Sequence, residues 1–213
     1  MSMSGDAGSR VADGEPDRRG RLADSIRDLI EAAVLVDASS VELGVAAERI
    51  AAVTEELRAG GLDSPLLLVP LEGVGQLSVN NPVEGPGNPL APPLTGIRID
   101  GGSVCATAVF GIAHEGAPGR VHGGWVAALL DHAAGRAAAA GGSAGMTVSL
   151  TVEYHHGTPF GVPLEVEAEV VGRERRKVYT VGRIRAEGRI TATASATLVA
   201  VKGLPAGLEV DRK

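Results

Sequence analysis

In the stretch GRVHGGWVAALLDHAAG, Gly119 to Gly135, His122-Gly123-Gly124 opens an apolar run at helical spacing, and a carboxylate, Asp131, stands nine residues after the histidine. The start of a helix presents backbone N–H groups that no preceding turn satisfies, at the positive end of the helix dipole. Glycines there let a carbonyl approach closely, an arrangement suited to a developing oxyanion. Taken singly, these glycines need mean no more than tight packing, with His122 a core histidine. Asp131 is harder to explain by packing. Its helical neighbours three and four residues away are Ala127, Ala128, Ala134 and Gly135, with no cation among them, and Leu129, Leu130 and Ala133 flank it. An ionised carboxylate in such surroundings loses hydration without a compensating partner.

Together, an electrophile-binding helix start and a carboxylate form a site for attack on a carbonyl, with the acid acting as general base on water or as nucleophile. Gly123 and Asp131 are eight residues apart, which is about 12 Å along a helix axis. One reacting carbonyl must lie about 3 Å from both groups. The spacing therefore predicts a site shared across a two-fold dimer.

The elements that must position these groups follow from periodicity. Val104, Ala106, Ala108 and Phe110 alternate with polar or smaller residues as a strand, and the helix of the opening stretch runs from about Gly123 to Ala140. Four strands follow: Met146 to Tyr154, Leu164 to Val170, KVYTVGRIRAEG and RITATASATLVAV. One helix cannot cross over between so many strands, so the sheet is expected to be antiparallel with the helix on one face, an α+β fold. Upstream, residues 1–20 are polar, Gly-rich and aperiodic, and read as a disordered tail. Residues 21–61 carry two helical patterns, with Ser39 and Glu42 as a capping box for the second and Gly60-Gly61 as its stop. Residues 62–95, rich in Pro, Gly and Asn, read as a connecting segment that is neither regular helix nor interior strand. The main domain is then 96–202, and 203–213 a tail.

The 213-residue chain has 44% apolar but only 2% aromatic residues, and a net charge of −6. The core must be built from Ala, Val, Leu and Ile, base-stacking surface is scarce, and the charge argues against a nucleic-acid or anionic-membrane partner. Cys105 stands alone and the N-terminus lacks an apolar signal-peptide core, which makes a reducing cytoplasm the expected setting.

EGAPGRVHGGWVAALLDHAAG, followed by MTVSLTVEYHHGTPFGVPLEVEAEVVGRERRKVYTVGRI, resembles the hotdog-fold acyl-CoA thioesterases of the phenylacetate-pathway (PaaI) type over roughly Asn80 to Val201. The resemblance implies a long helix wrapped by a curved antiparallel sheet. It also implies a homodimer with shared active sites, often with two dimers associated. By the match, the Gly123 N–H binds the thioester oxygen, His122 shapes that loop, and Asp131 of the other subunit is the base or nucleophile. Thr147 orients the water or the carboxylate. Some relatives carry asparagine six residues before the histidine; this chain has Gly116 there, and Glu115 beside it is the substitute the sequence offers. The coenzyme A arm of the substrate is expected along Gly124, Tyr154, His155, His156 and Gly157 and at the turn holding Arg173, Arg175, Arg176 and Lys177, whose four cations suit phosphates.

Other signals are weaker. GGSAG, Gly141 to Gly145, matches G-x-S-x-G, but a helix precedes it and a strand follows, the reverse of a nucleophile elbow. The five histidines show no helical i, i+4 pair and there is no cysteine cluster, so neither metal nor cofactor is expected. The sequence thus predicts a metal-independent acyl-CoA thioesterase. Its rivals are an enoyl-thioester hydratase on the same fold and a non-catalytic acyl-CoA-binding or scaffolding protein.

Overall fold

The computed structural model describes residues 15–39, 41–61, 68–71 and 75–201. Two helices come first, α1 (Glu15–Leu35) and α2 (Leu43–Ala59). A two-stranded hairpin of β1 (Leu68–Leu71) and β2 (Gly75–Ser78) follows, then β3 (Thr95–Asp100) and β4 (Ser103–Ala108). A short 3-10 helix, Ile112–His114, leads to α3 (Gly123–Ala140) and to β5 (Gly145–Tyr154), β6 (Leu164–Glu174), β7 (Lys177–Ala186) and β8 (Arg189–Ala200). β3 to β8 form one sheet in the order β3-β4-β6-β7-β8-β5, antiparallel throughout. The chain thus leaves β4, crosses the sheet through α3 to the far edge, and returns to pair β6 with β4. This is the hotdog architecture, a curved antiparallel sheet around one long helix.

The core lies between α3 and the sheet. Val126, Leu129, Leu130, Ala133 and Ala137 of α3 pack on Val104, Ala106 and Ala108 of β4, Leu164 and Val166 of β6, Ile184 of β7 and Ala192 of β8. Alternation along β4 is strict, with every second residue buried, as expected of a strand covered on one face. Small and branched aliphatic side chains do most of the filling, and Phe110 is the large exception.

The structure departs from the sequence reading in four places. α1 begins at Glu15, six residues inside the segment read as a tail; residues 1–14 and 202–213 lie outside the described residues. The Ser39–Glu42 capping box does not form. The Ser39 hydroxyl and backbone N–H both go to Asp37 Oδ1, at 2.7 and 3.0 Å, and α2 starts after Glu42 without a side-chain cap. The Pro/Gly-rich segment contains the β1–β2 hairpin, and residues 62–67 and 72–74 of it lie outside the described residues. β3 is a further difference: two strands of the main sheet, rather than one, precede α3. Gly96, with φ of +58°, and a register shift interrupt its pairing with β4, and such a break hides an edge strand from a period-two reading.

The loop between β2 and β3 is fastened on both sides. Arg27 of α1 donates to the carbonyl of Asn88 at 2.8 Å. On the other side the Glu84 carboxylate is buried against α3, with Oε2 3.0 Å from His132 Nε2 and 3.3 Å from Arg136 Nε. His132 and Arg136 are four residues apart and share one helix face. Among the described residues no helix is long and apolar enough to cross a membrane.

Candidate functional site

His122 is the N-cap of α3, and its Nδ1 accepts the Gly124 N–H at 3.0 Å. That bond places the ring proton on Nε2 and uses up the second amide of the helix. The Gly123 N–H is left as the amide at the helix start with no acceptor among the described residues. Around it the loop is built by its own hydrogen bonds. Glu115 accepts the Gly119 N–H at 2.6 Å, the Gly116 N–H donates to the Arg120 carbonyl at 2.9 Å, and the His122 N–H donates to the His114 carbonyl at 2.9 Å. From the other side the Val121 N–H reaches the Thr158 carbonyl at 2.8 Å, and Tyr154 Oη donates to the Gly123 carbonyl at 2.9 Å.

Glu115 therefore holds the turn of the Glu-Gly-x-Pro-Gly stretch through one carboxylate oxygen. Gly116 is equally constrained, because a Cβ there would fall 2.7 Å from His122 Cα. An asparagine at this position cannot be accommodated without moving the N-cap. Gly116→Ala is expected to cost about 1–3 kcal/mol from overpacking against backbone, to be read as a lower urea midpoint.

Asp131 lies mid-helix, half-buried, in line with the small residues Gly124, Ala128, Gly135 and Ala139 and outside the set of fully buried α3 residues. Its Oδ1 is buried and has no hydrogen-bond partner. Thr147, near the start of β5, does not reach that oxygen within one chain. The helix separates Gly123 from Asp131 as its length requires, so a single chain does not bring them to one carbonyl. His132 is committed to Glu84 on another face of α3, out of line with Asp131.

The two stretches expected to hold coenzyme A lie far apart. Tyr154 to Gly157 pack at the helix start, where the His155 and His156 N–H groups both donate to the Thr191 carbonyl and His155 Nε2 lies 2.8 Å from Thr193 Oγ1. Arg173, in contrast, donates to the carbonyl of Gly141 at the C-terminal end of α3, roughly 27 Å of helix from Gly123. Arg176 donates to the Ala200 carbonyl at 3.0 Å, and Arg175 and Lys177 flank the same β6–β7 turn.

Beside the helix start the structure shows what the sequence reading missed. A polar cavity of about 460 Å³ is lined by Arg120, His156, Gly157, Pro159, Arg189 and Thr191, with the Glu187 carboxylate at the same pocket. Gly157 makes room for the Arg120 stem, since a Cβ there would fall 2.6 Å from Arg120 Cδ. The two arginines are 69 residues apart in sequence. Contacts of the loop after β5 with Thr191 of β8 and with Val121 bring them together, and no local pattern marks it.

The family model for the thioesterase superfamily matches residues 118–193, the stretch from the glycine loop into the first five residues of β8. The acyl-coenzyme A thioesterase THEM4 of Xenopus laevis is 34% identical over 91 residues, which is 43% of this chain and 41% of that protein. The chain thus matches less than half the length of this curated relative. A solved structure described as a thioesterase superfamily protein is 33% identical, with a TM-score of 0.76, covering 85% of this chain and 94% of that one.

Proposed function

Since the chain belongs to the thioesterase superfamily, we propose that it is an acyl-CoA thioesterase, cleaving the thioester to a free acid and coenzyme A. The observation that carries this reading is Asp131, half-buried in the middle of α3 with a buried Oδ1 that has no hydrogen-bond partner among the described residues. The Gly123 N–H at the helix start is its complement. The catalytic unit is the hotdog body from β3 to β8, and the working form is a homodimer in which Gly123 of one copy faces Asp131 of the other across paired α3 helices. β5 supports that pairing: it is an edge strand, and Met146 and Val148 on it are exposed, features that call for a partner. A cytoplasmic setting accords with the single Cys105.

In the reaction Asp131 takes a proton from water as the oxygen attacks the thioester carbon. The carbonyl oxygen gains the charge and accepts the Gly123 N–H, aided by the helix dipole. Collapse of the tetrahedral species breaks the C–S bond, and the proton held by Asp131 passes to the departing thiolate. His122, by holding the Gly124 N–H, fixes the loop so that Gly123 points at the oxyanion. Thr147 orients the water or the carboxylate once the second copy is in place. The test is release of coenzyme A thiol from a panel of aryl-, medium- and long-chain acyl-CoAs. No release from any of them overturns the reading.

Tyr154, His155, His156 and Gly157 carry the pantetheine arm away from the helix start, and Arg120 and Arg189 receive its phosphates. The Arg173–Lys177 turn of the second copy is the further cationic contact. Loss of one charge-assisted bond to phosphate costs about 1.5–3 kcal/mol. Arg120→Ala and Arg189→Ala are therefore each expected to raise KM for acyl-CoA by about tenfold or more. The kcat/KM for the same acyl group on N-acetylcysteamine, which has no phosphates, should stay unchanged. Equal losses on both substrates would assign these arginines to the fold instead.

A further inference from the structure

α2 (Leu43–Ala59) has no buried residue, although it carries a continuous apolar seam. Leu43, Ala46, Ile50, Val53 and Leu57 follow one another at spacings of three, four, three and four residues, the pattern of a coiled-coil stripe. Leu43, Ile50, Val53 and Leu57 are each 44–50% exposed, so none of the described residues buries this stripe. α1, in contrast, turns Ala23 and Arg27 inward onto the β2–β3 loop. A helix of 17 residues is marginal alone in water, and most helical stability comes from packing an apolar face.

The residues beside the seam identify the occupant. Arg49 and Glu56 flank it on one side, in equivalent positions of successive heptads, while Ala47 and Thr54 occupy the other side. In a parallel pair each charged flank would face the uncharged one, and no ion pair would form. In an antiparallel pair like flanks meet, so Arg49 of one copy faces Glu56 of the other, twice by symmetry. Neighbouring charges do not blur this pattern, since Glu55 is paired with Arg58 at 2.5 Å on the outer surface. Size complementarity selects the same register. Antiparallel alignment sets Ile50 against Val53, Leu57 against Ala46 and Leu43 against Gly60. A parallel pair would stack Ala46 on Ala46 and leave a gap between two layers of large residues.

We propose that α2 is a self-association element that pairs antiparallel with α2 of a second copy of this chain, through the Leu43/Ala46/Ile50/Val53/Leu57 seam and two Arg49–Glu56 contacts. The contact is isologous, so it closes on itself. It is separate from the pairing that completes the catalytic site, and its loss leaves that site intact.

The test is orientation-specific disulfide trapping in the full-length chain with Cys105→Ser. Chains carrying Ile50→Cys and Val53→Cys are co-expressed with different tags, oxidised, and analysed by mass spectrometry. The expected product is the disulfide between position 50 of one chain and position 53 of the other. A disulfide joining position 50 to position 50, or no interchain disulfide at all, overturns the proposal. Because these positions are exposed, the substitutions do not endanger folding. Arg49→Glu is expected to lower the trapped yield by about twofold or more, and Glu56→Arg added to it to restore the yield. Failure of the double exchange to restore it also overturns the proposal. Thioesterase activity plays no part in this readout.

Discussion

Asp131→Asn is expected to lower kcat for acyl-CoA hydrolysis by about 10²–10⁴-fold, the usual contribution of a positioned general base. Asparagine keeps the shape of the side chain and its place among Leu129, Leu130 and Ala134, but it has no oxygen that takes a proton from water at neutral pH. The substitution should leave the fold intact, because Oδ1 has no hydrogen-bond partner to lose. Circular dichroism and sedimentation should therefore match wild type while thiol release collapses. Full activity in this variant would remove Asp131 from the mechanism, and with it the reading of α3 as the catalytic helix.

Glu84→Ala carries the largest expected effect on stability, about 3–5 kcal/mol, the cost of taking one partner from a buried ionic cluster. This is a large part of the 5–15 kcal/mol that holds a typical domain together. The cause is geometric: His132 and Arg136 sit against a carboxylate that is only 3% exposed, and the substitution takes that buried anion from beside both. The effect also depends on pH. Burial by itself would push the Glu84 carboxyl up, but the His132 imidazole, the Arg136 guanidinium and the Ser78 backbone N–H together outweigh it and hold the group below its ordinary value of 4.5. A carboxyl held low in the folded state stabilises that state above the unfolded value and loses the contribution as pH falls through the folded one. The stability gap between wild type and Glu84→Ala, measured by urea unfolding, is thus expected to be full at pH 7 and to narrow below pH 4.5. A constant gap would mean that packing, not charge, accounts for the loss.

The same cluster shows why some of the protein was legible in sequence and some was not. α3 and β6 to β8 could be placed from periodicity because each buries one face, and burial writes itself into the spacing of apolar residues. β3 escaped because a positive-φ glycine and a register shift break its pattern. Glu84 sat in a Pro/Gly/Asn-rich stretch where nothing local announces an ion pair with a helix almost 50 residues away. The capping box misled for the opposite reason. Ser39 and Glu42 have the right spacing, yet the Asp37 carboxylate offers a nearer acceptor and takes both of the serine's donors.

For the proposed site, composition and spacing by themselves singled out the candidate pieces: a glycine helix start after a histidine, and a carboxylate in the middle of an apolar helix. They also determined that one chain cannot assemble the two, since a helix's rise per residue is fixed. Only the tertiary structure decided which glycine amide is left without an acceptor, because that depends on the His122 ring turning back onto the Gly124 N–H. It decided as well that Glu115 serves its own loop, that the Arg173–Lys177 turn stands at the far end of α3, and that Arg120 and Arg189 share a pocket. The division has one physical reason. Sequence records what each residue needs from its neighbours along the chain, whereas a hydrogen bond or a cluster of like charges across strands depends on which surfaces the fold brings face to face.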